Sequence, residues 1–170
     1  MKRTVLIVLA CCALLFRASA HGDPASSVRQ QFLGTWKLLS YVGEEVPAGA
    51  RADVMGPAPS GYISYGGDGR MMVIIVGTGR KKPAAAVATP AEAQALLSSM
   101  LAYAGTYTID ESAHTVTHHI DVSWDETRTG ESHVRTYRLA GDRLTLTTRP
   151  SRDPATGRQT VRTVTWERVR

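Results

Sequence analysis

Alternation of apolar and polar side chains is clearest between Val116 and Trp124. Successive side chains of a strand point to opposite faces. Val116, His118, Ile120, Val122 and Trp124 therefore share one face, and Thr117, His119, Asp121 and Ser123 share the other. The first face is apolar with one imidazole in it; the second is a polar row. The same period recurs along the chain. Phe32 to Val42, rich in β-branched and aromatic residues, reads as a first strand with Trp36, Leu38, Ser40 and Val42 on one side. Ser60 to Tyr65 and Arg70 to Val76 read as two more, joined through Gly66-Gly67-Asp68-Gly69 as a hairpin. The second of these is apolar on both faces, which predicts a cover over its outer side. Gly105 to Ile109, Ser132 to Leu139, Arg143 to Thr148 and Thr160 to Arg168 complete a set of eight.

One segment changes period. Thr89-Pro90-Ala91-Glu92 has the form of a capping box with proline at the first helical position. Ala93, Leu96, Leu97, Met100 and Leu101 then recur at helical spacing. This amphipathic helix is expected either to cover the strand at 71–76 or to lie as a lid across an opening. The remaining stretches are loops marked by Gly and Pro. Arg80-Lys81-Lys82 sits in one of them and reads as a solvated basic loop, because Gly77-Thr78-Gly79 lacks the spacing of a phosphate loop. Eight antiparallel strands in sequential order predict an all-β, up-and-down barrel with one inserted α-helix. A barrel of this size closes without a free edge and can hold one small ligand.

The first twenty residues change the composition. Lys2 and Arg3 precede an apolar run from Thr4 to Phe16, and Ala18-Ser19-Ala20 is a small-x-small site. That is the pattern of a signal peptide over 1–20, cleaved before His21. The run is too short to span a bilayer stably. A rival reading has Cys11 or Cys12 acylated, but Val8-Leu9-Ala10-Cys11 matches a lipobox only loosely. Cleavage implies export to the periplasm or medium of a bacterium. It leaves a flexible lead-in over 21–31 and one domain over 32–170. It removes three of the 20 basic residues and none of the 15 acidic ones, so the formal charge falls from +5 to +2. A nucleic-acid partner then loses most of its electrostatic support. Both cysteines are lost too, leaving no disulfide, thiolate nucleophile or Cys-ligated zinc despite an oxidising destination. The remaining 150 or so residues must hold together by their core, which is feasible at that length.

Gly34-Thr35-Trp36 on the first strand and Trp166-Glu167-Arg168 on the last are similar to the lipocalins. A wider ordered set resembles the bacterial lipocalin-like domain family. It comprises Leu33 to Leu38, Gly61 to Tyr65, Gly69-Arg70-Met71, Tyr103 to Tyr107, Val116 to Ile120, Val134-Arg135, Gly141 to Leu146 and Trp166 to Arg168. The resemblance implies that Trp36, preceded by Gly34, closes one end of the barrel, with Arg168 packed across it as a cation–π partner. The chain departs from the family where a Pro-Asn-Trp turn is common before Gly130; here it reads Trp124 to Thr129. The family carries no general function to transfer.

Chemistry is sparse. His118 and His119 face opposite sides, and His114 and His118 lie about 13 Å apart along an extended strand, so no metal or other cofactor is expected. His21 at a new N-terminus could bind copper only with ligands placed by the fold, and a solvated tail is the simpler reading. His118 is expected to face the interior. It is either a hydrogen-bonded core histidine, a polar anchor in an apolar pocket, or a general base. Arg135 and Tyr137 share a face of the next strand and could reach it across the ladder. Trp124 shares its face, and Tyr62, Tyr65 and Tyr107 could add hydroxyls to the wall. A buried Arg135 would suit an anionic head group. The expected ligand set is therefore His118, Arg135, Tyr137, Tyr62, Tyr107 and Trp124, holding a small hydrophobic or amphipathic molecule. Two alternatives stand beside a carrier: a pocket enzyme of isomerase or cyclase type using His118 with Tyr or Arg, and an interaction domain with a filled core.

Overall fold

The computed structural model describes residues 27–170 except 48, 154 and 155. The leader, its cleavage site, His21 and the two cysteines lie outside the described residues. The elements run α1 (Val28–Phe32), β1 (Gly34–Glu45), β2 (Arg51–Asp53), β3 (Ser60–Tyr65), β4 (Arg70–Val76), α2 (Pro90–Ser98), β5 (Met100–Asp110), β6 (Thr115–Ser123), β7 (Ser132–Ala140), β8 (Arg143–Thr148), β9 (Ser151–Arg152) and β10 (Gln159–Arg168). Eight of the strands pair antiparallel in the order β1-β3-β4-β5-β6-β7-β8-β10, and β10 pairs back onto β1. That closes the sheet as an eight-stranded up-and-down barrel with one inserted helix, as expected. The short strands β2 and β9 extend β1 and β10 at one end.

The two ends of the barrel differ. At one, α1 serves as a plug. Residues 28–31, expected as part of the lead-in, form this short helix instead, with Ser27 Oγ accepting from the Gln30 amide. Its last residue, Phe32, is fully buried and meets Tyr65 and Tyr137 edge-on, at 5.1 Å in each case. Trp36 Nε1 donates to the Phe32 carbonyl at 2.9 Å. The Arg168 guanidinium stands 4.1 Å from the Trp36 ring centroid and donates to the carbonyls of Leu33 and Gln31 at 2.8 and 2.6 Å. Gly34 adopts φ +107°, a conformation open to glycine, where the chain leaves the plug and enters β1. The other end carries α2 and the longer loops.

The helix departs from its expected course in two ways. It ends at Ser98, and Met100 and Leu101 belong to β5, where they pair with Val76 and Ile75. Ile75 and Val76 of β4 would otherwise lack a partner on this side, and ladder pairing overrides the helical spacing of two side chains. Arg80 fastens the helix end by donating to the carbonyls of Leu96 and Ser99. Nor does α2 cover β4: the helix buries none of its residues, and the outward Met72 and Ile74 remain exposed.

Two β-bulges reset the alternation. In β1 the register against β10 slips between Leu38 and Ser40. Leu38 points inward, Leu39 is partly exposed, and Tyr41 rather than Ser40 lies opposite the buried Val164. In β6 the slip falls between Ile120 and Val122, against Gly105 and Ala104 of β5. Val122, expected inside with Ile120, faces solvent. Gly105 is required here because a Cβ would collide with the His119 carbonyl.

Candidate functional site

β6 carries its inward residues Val116, His118 and Ile120 into the centre of the barrel, and all three are buried. On β7 the register places His133 opposite His118 and Arg135 opposite Val116, so both face inward too. β3 supplies Tyr65 and β5 supplies Tyr103. The result is a line of polar groups across an otherwise apolar interior. Tyr65 Oη lies 2.8 Å from His118 Nε2, and Tyr103 Oη lies 2.9 Å from His118 Nδ1. Arg135 Nη2 donates to the Tyr103 hydroxyl oxygen at 3.4 Å.

The surroundings fix the protonation states. Burial holds the His118 imidazole well below its ordinary range, and the Arg135 charge adds to the effect. Burial raises Tyr65 and Tyr103, the latter opposed by Arg135. His118 is therefore neutral near pH 7, with one ring nitrogen donating and the other accepting. Both phenols stay protonated. Every ring nitrogen is occupied, which matches the hydrogen-bonded core histidine among the three expectations.

Arg135 is different. It is partly buried, and among the described residues no carboxylate pairs with it. It lines a cavity of about 20 Å³ together with Tyr41, Leu101, Tyr103, Val164 and Trp166. That volume admits about one water. Trp166 is buried, and its Nε1–H has no hydrogen-bond partner. Buried indole N–H groups normally find one. The cavity's lining residues Tyr41, Leu101 and Arg135 stand toward the end that carries α2 and the loops. A larger concavity of about 460 Å³ lies outside the barrel, between Thr78–Lys81 and the Ala91–Leu96 face of α2. It contains no buried unpartnered polar group, and the interior cavity is the better candidate.

The remaining expected site residues scatter. Tyr62 lies on the outer face and is 48% exposed. Tyr107 is buried toward the closed end, where its hydroxyl donates to the Gly66 carbonyl at 3.0 Å and Arg29 stands over its ring. Tyr137 packs on Phe32, its hydroxyl without a partner. Trp124 follows the β6 bulge and borders a shallow outer concavity with Ala102, Ala104 and Val122. Only His118 and Arg135 of the expected ligand set reach the interior cavity. Tyr41, Tyr103, His133 and the lining role of Trp166 were not anticipated. No group of three or more His, Cys, Asp or Glu among the described residues could hold a metal.

The lipocalin-like domain family matches residues 33–169, nearly the whole described barrel. The chain belongs to this family. No curated protein matches it. In this lipocalin-like barrel the end built from Gly34, Trp36 and Arg168 is the plugged one. The polar line and the cavity lie in the interior beyond it.

Proposed function

We propose that this lipocalin-like protein is exported and binds a small hydrophobic or amphipathic molecule from the open end of its barrel. The observation that carries the reading is the interior cavity with two unmet polar demands in its walls, the uncompensated Arg135 and the orphaned Trp166 N–H. Groups of this kind are costly unless something supplies their partners. The family supports the reading, since its barrel suits a small apolar guest; export rests on the leader pattern alone. Binding takes precedence over the pocket-enzyme alternative because both nitrogens of His118 are already engaged by phenols. A second reading, an interaction domain with a filled core, is favoured by the small cavity volume.

Native mass spectrometry of the exported protein with its co-purified small molecules, alongside titration with an apolar fluorescent probe, separates these. A bound mass, or saturable probe binding weakened by His118→Ala, supports the carrier. An empty protein that binds no probe selects the filled-core reading. Turnover that collapses in His118→Ala selects the enzyme.

A further inference from the structure

We infer that this protein self-associates, and that the outer face of β3 to β6 is the contact surface of a weak, two-fold symmetric dimer.

Apolar side chains on both faces of β4 call for a cover, and α2 does not supply it. The register shows how much is left open. Tyr62, Ile74 and Ala102 stand in one row across β3, β4 and β5, and Trp124 joins it through its amide bond to the Ala102 carbonyl. Met72, Ala104 and Val122 form the next row, across β4, β5 and β6. The β6 bulge completes the patch, because it turns Val122 outward. Tyr62, Met72, Ile74 and Val122 are 47–63% exposed. Their exposed surface comes to roughly 400 Å², the scale at which an apolar patch marks an interaction site.

The relief of the patch identifies the occupant. Met72 and Ile74 form a ridge along β4. Beside it the alanines of β5 leave a trough of about 230 Å³, walled on its far side by Val122 and Trp124. Ridge and trough lie at the same level, because Ile74 pairs with Ala102 and Met72 with Ala104. A two-fold axis parallel to the strands, between β4 and β5, sets each copy's ridge over the other's trough. A surface that complements itself in this way makes an isologous contact. The same axis keeps the strands of the two sheets close to aligned, as face-packed sheets prefer.

The charges agree with a second copy. Neither row carries one. Arg70 and Asp121, paired at 2.6 Å, border the patch toward the plugged end. The axis brings the Arg70 of each copy toward the Asp121 of the other. Lys37, beyond Tyr62 on β1, stays on the flank away from its counterpart. A strongly charged partner would find this border neutral. Area sets the strength. With Ala102, Ala104, Trp124 and a polar rim, the face offers roughly 500–600 Å² per copy, the lower end of specific interfaces. Such a dimer dissociates on dilution, so the dilute protomer stands by itself. Both ends of the barrel stay free in the dimer.

The test is sedimentation velocity of the full chain from about 5 μM to about 500 μM, with half-dimerisation expected near about 100 μM for an interface of this size. Met72→Ser should weaken association about fivefold, and Ala104→Arg, which fills the trough with a charge, by more than about tenfold. Val87→Ser removes an exposed apolar side chain outside the face and should stay within about twofold. Association carried by the leader would persist in Ala104→Arg. Thermal melts of the dilute variants verify folding. Arg70→Asp and Asp121→Arg should each weaken the dimer alone and associate when mixed, because opposite charges then meet across the axis. The methyl resonance of Met72 should shift with concentration while that of its buried neighbour Met71 stays in place. Monomer at every concentration, or a dimer unaffected by Ala104→Arg, overturns the inference. A protein that stays monomeric but sediments with phosphatidylglycerol vesicles overturns it in favour of a lipid surface.

Discussion

His118 should make this barrel lose stability between pH 7 and pH 5, well before its carboxylates titrate. The imidazole is fully buried and held well below its ordinary value by burial and by Arg135. In the unfolded chain it recovers an ordinary value of about 6.5. Above pH 6.5 both states are neutral and the group leaves stability unchanged. Below pH 6.5 the unfolded chain takes up a proton that the folded chain refuses, so stability falls as pH falls. The slope approaches about 1.4 kcal/mol per pH unit for one such group. From pH 6.5 to pH 5 a histidine still neutral in the fold accounts for about 2 kcal/mol. That is a sizeable share of the roughly 5–15 kcal/mol of a typical domain.

Two other sets of groups bear on the measurement. His133 is half-buried and is also lowered, by burial, against the pull of its hydrogen bond to Glu131. It adds a smaller loss of the same sign. Asp110, Asp125 and Asp142 are lowered by their hydrogen bonds, so their loss falls at pH 4 and below, outside the window. Urea unfolding at pH 7.0, 6.0 and 5.0 therefore isolates the histidines. The unsubstituted protein should lose about 2 kcal/mol or more over that range, and His133→Asn should keep most of the loss. His118→Gln retains a donor and an acceptor but does not titrate, and should flatten it. Equal stability at pH 7.0 and 5.0, or an undiminished loss in His118→Gln, would refute the buried neutral imidazole.

Three further outcomes test the frame around it. Arg168→Met removes two charged hydrogen bonds to backbone carbonyls and the contact over Trp36, and should cost about 3 kcal/mol, a fall of about 10 °C in melting temperature. A shift under about 3 °C would show that the plug holds without it. Phe32→Ala empties a fully buried site against Tyr65 and Tyr137 and should cost about 3–5 kcal/mol by urea titration. Met72→Ser, on the uncovered outer face of β4, should change stability by no more than about 0.5 kcal/mol in the same assay.

The barrel was legible because its evidence is redundant. Most strands show period two, most turns carry a glycine, and the ordered motifs from Leu33 to Arg168 repeat the same message. A mistake in one strand, such as starting β5 at Gly105 instead of Met100, does not alter the closed topology. The extension was hidden because Met100 and Leu101 fit the helical stripe equally well, and only pairing with Ile75 and Val76 decides between them. The exposed face of β4 was misjudged for a related reason. An apolar strand implies a cover only when burial is its sole use, and here Met72 and Ile74 stay outside.

The interior is less forgiving, because a site depends on the facing of single residues. One inserted residue in a strand reverses every side chain beyond it. The slip at Leu39 turns Tyr41 toward the cavity, although strict alternation from Trp36 puts it outside. The slip between Ile120 and Val122 turns Val122 outward and leaves Trp124 away from His118. Neither bulge has a local signature in its own strand. The trace of the second lies across the ladder, in Gly105, whose missing side chain makes room for the His119 carbonyl. His118 and Arg135 kept their expected facing because β6 is regular as far as Ile120 and β7 pairs with it without a slip. Gly105→Ala is thus a test of the site as well as of the fold. Its methyl group would push against the His119 carbonyl and disturb β6 next to His118, and should cost about 2 kcal/mol or more in urea unfolding. If the bulge sets the facing, the resonances of His118 and Tyr103 should shift while those of Phe32 at the plugged end stay in place. A neutral Gly105→Ala would mean that the β5–β6 ladder is looser than its register implies, and that Val122 could exchange faces.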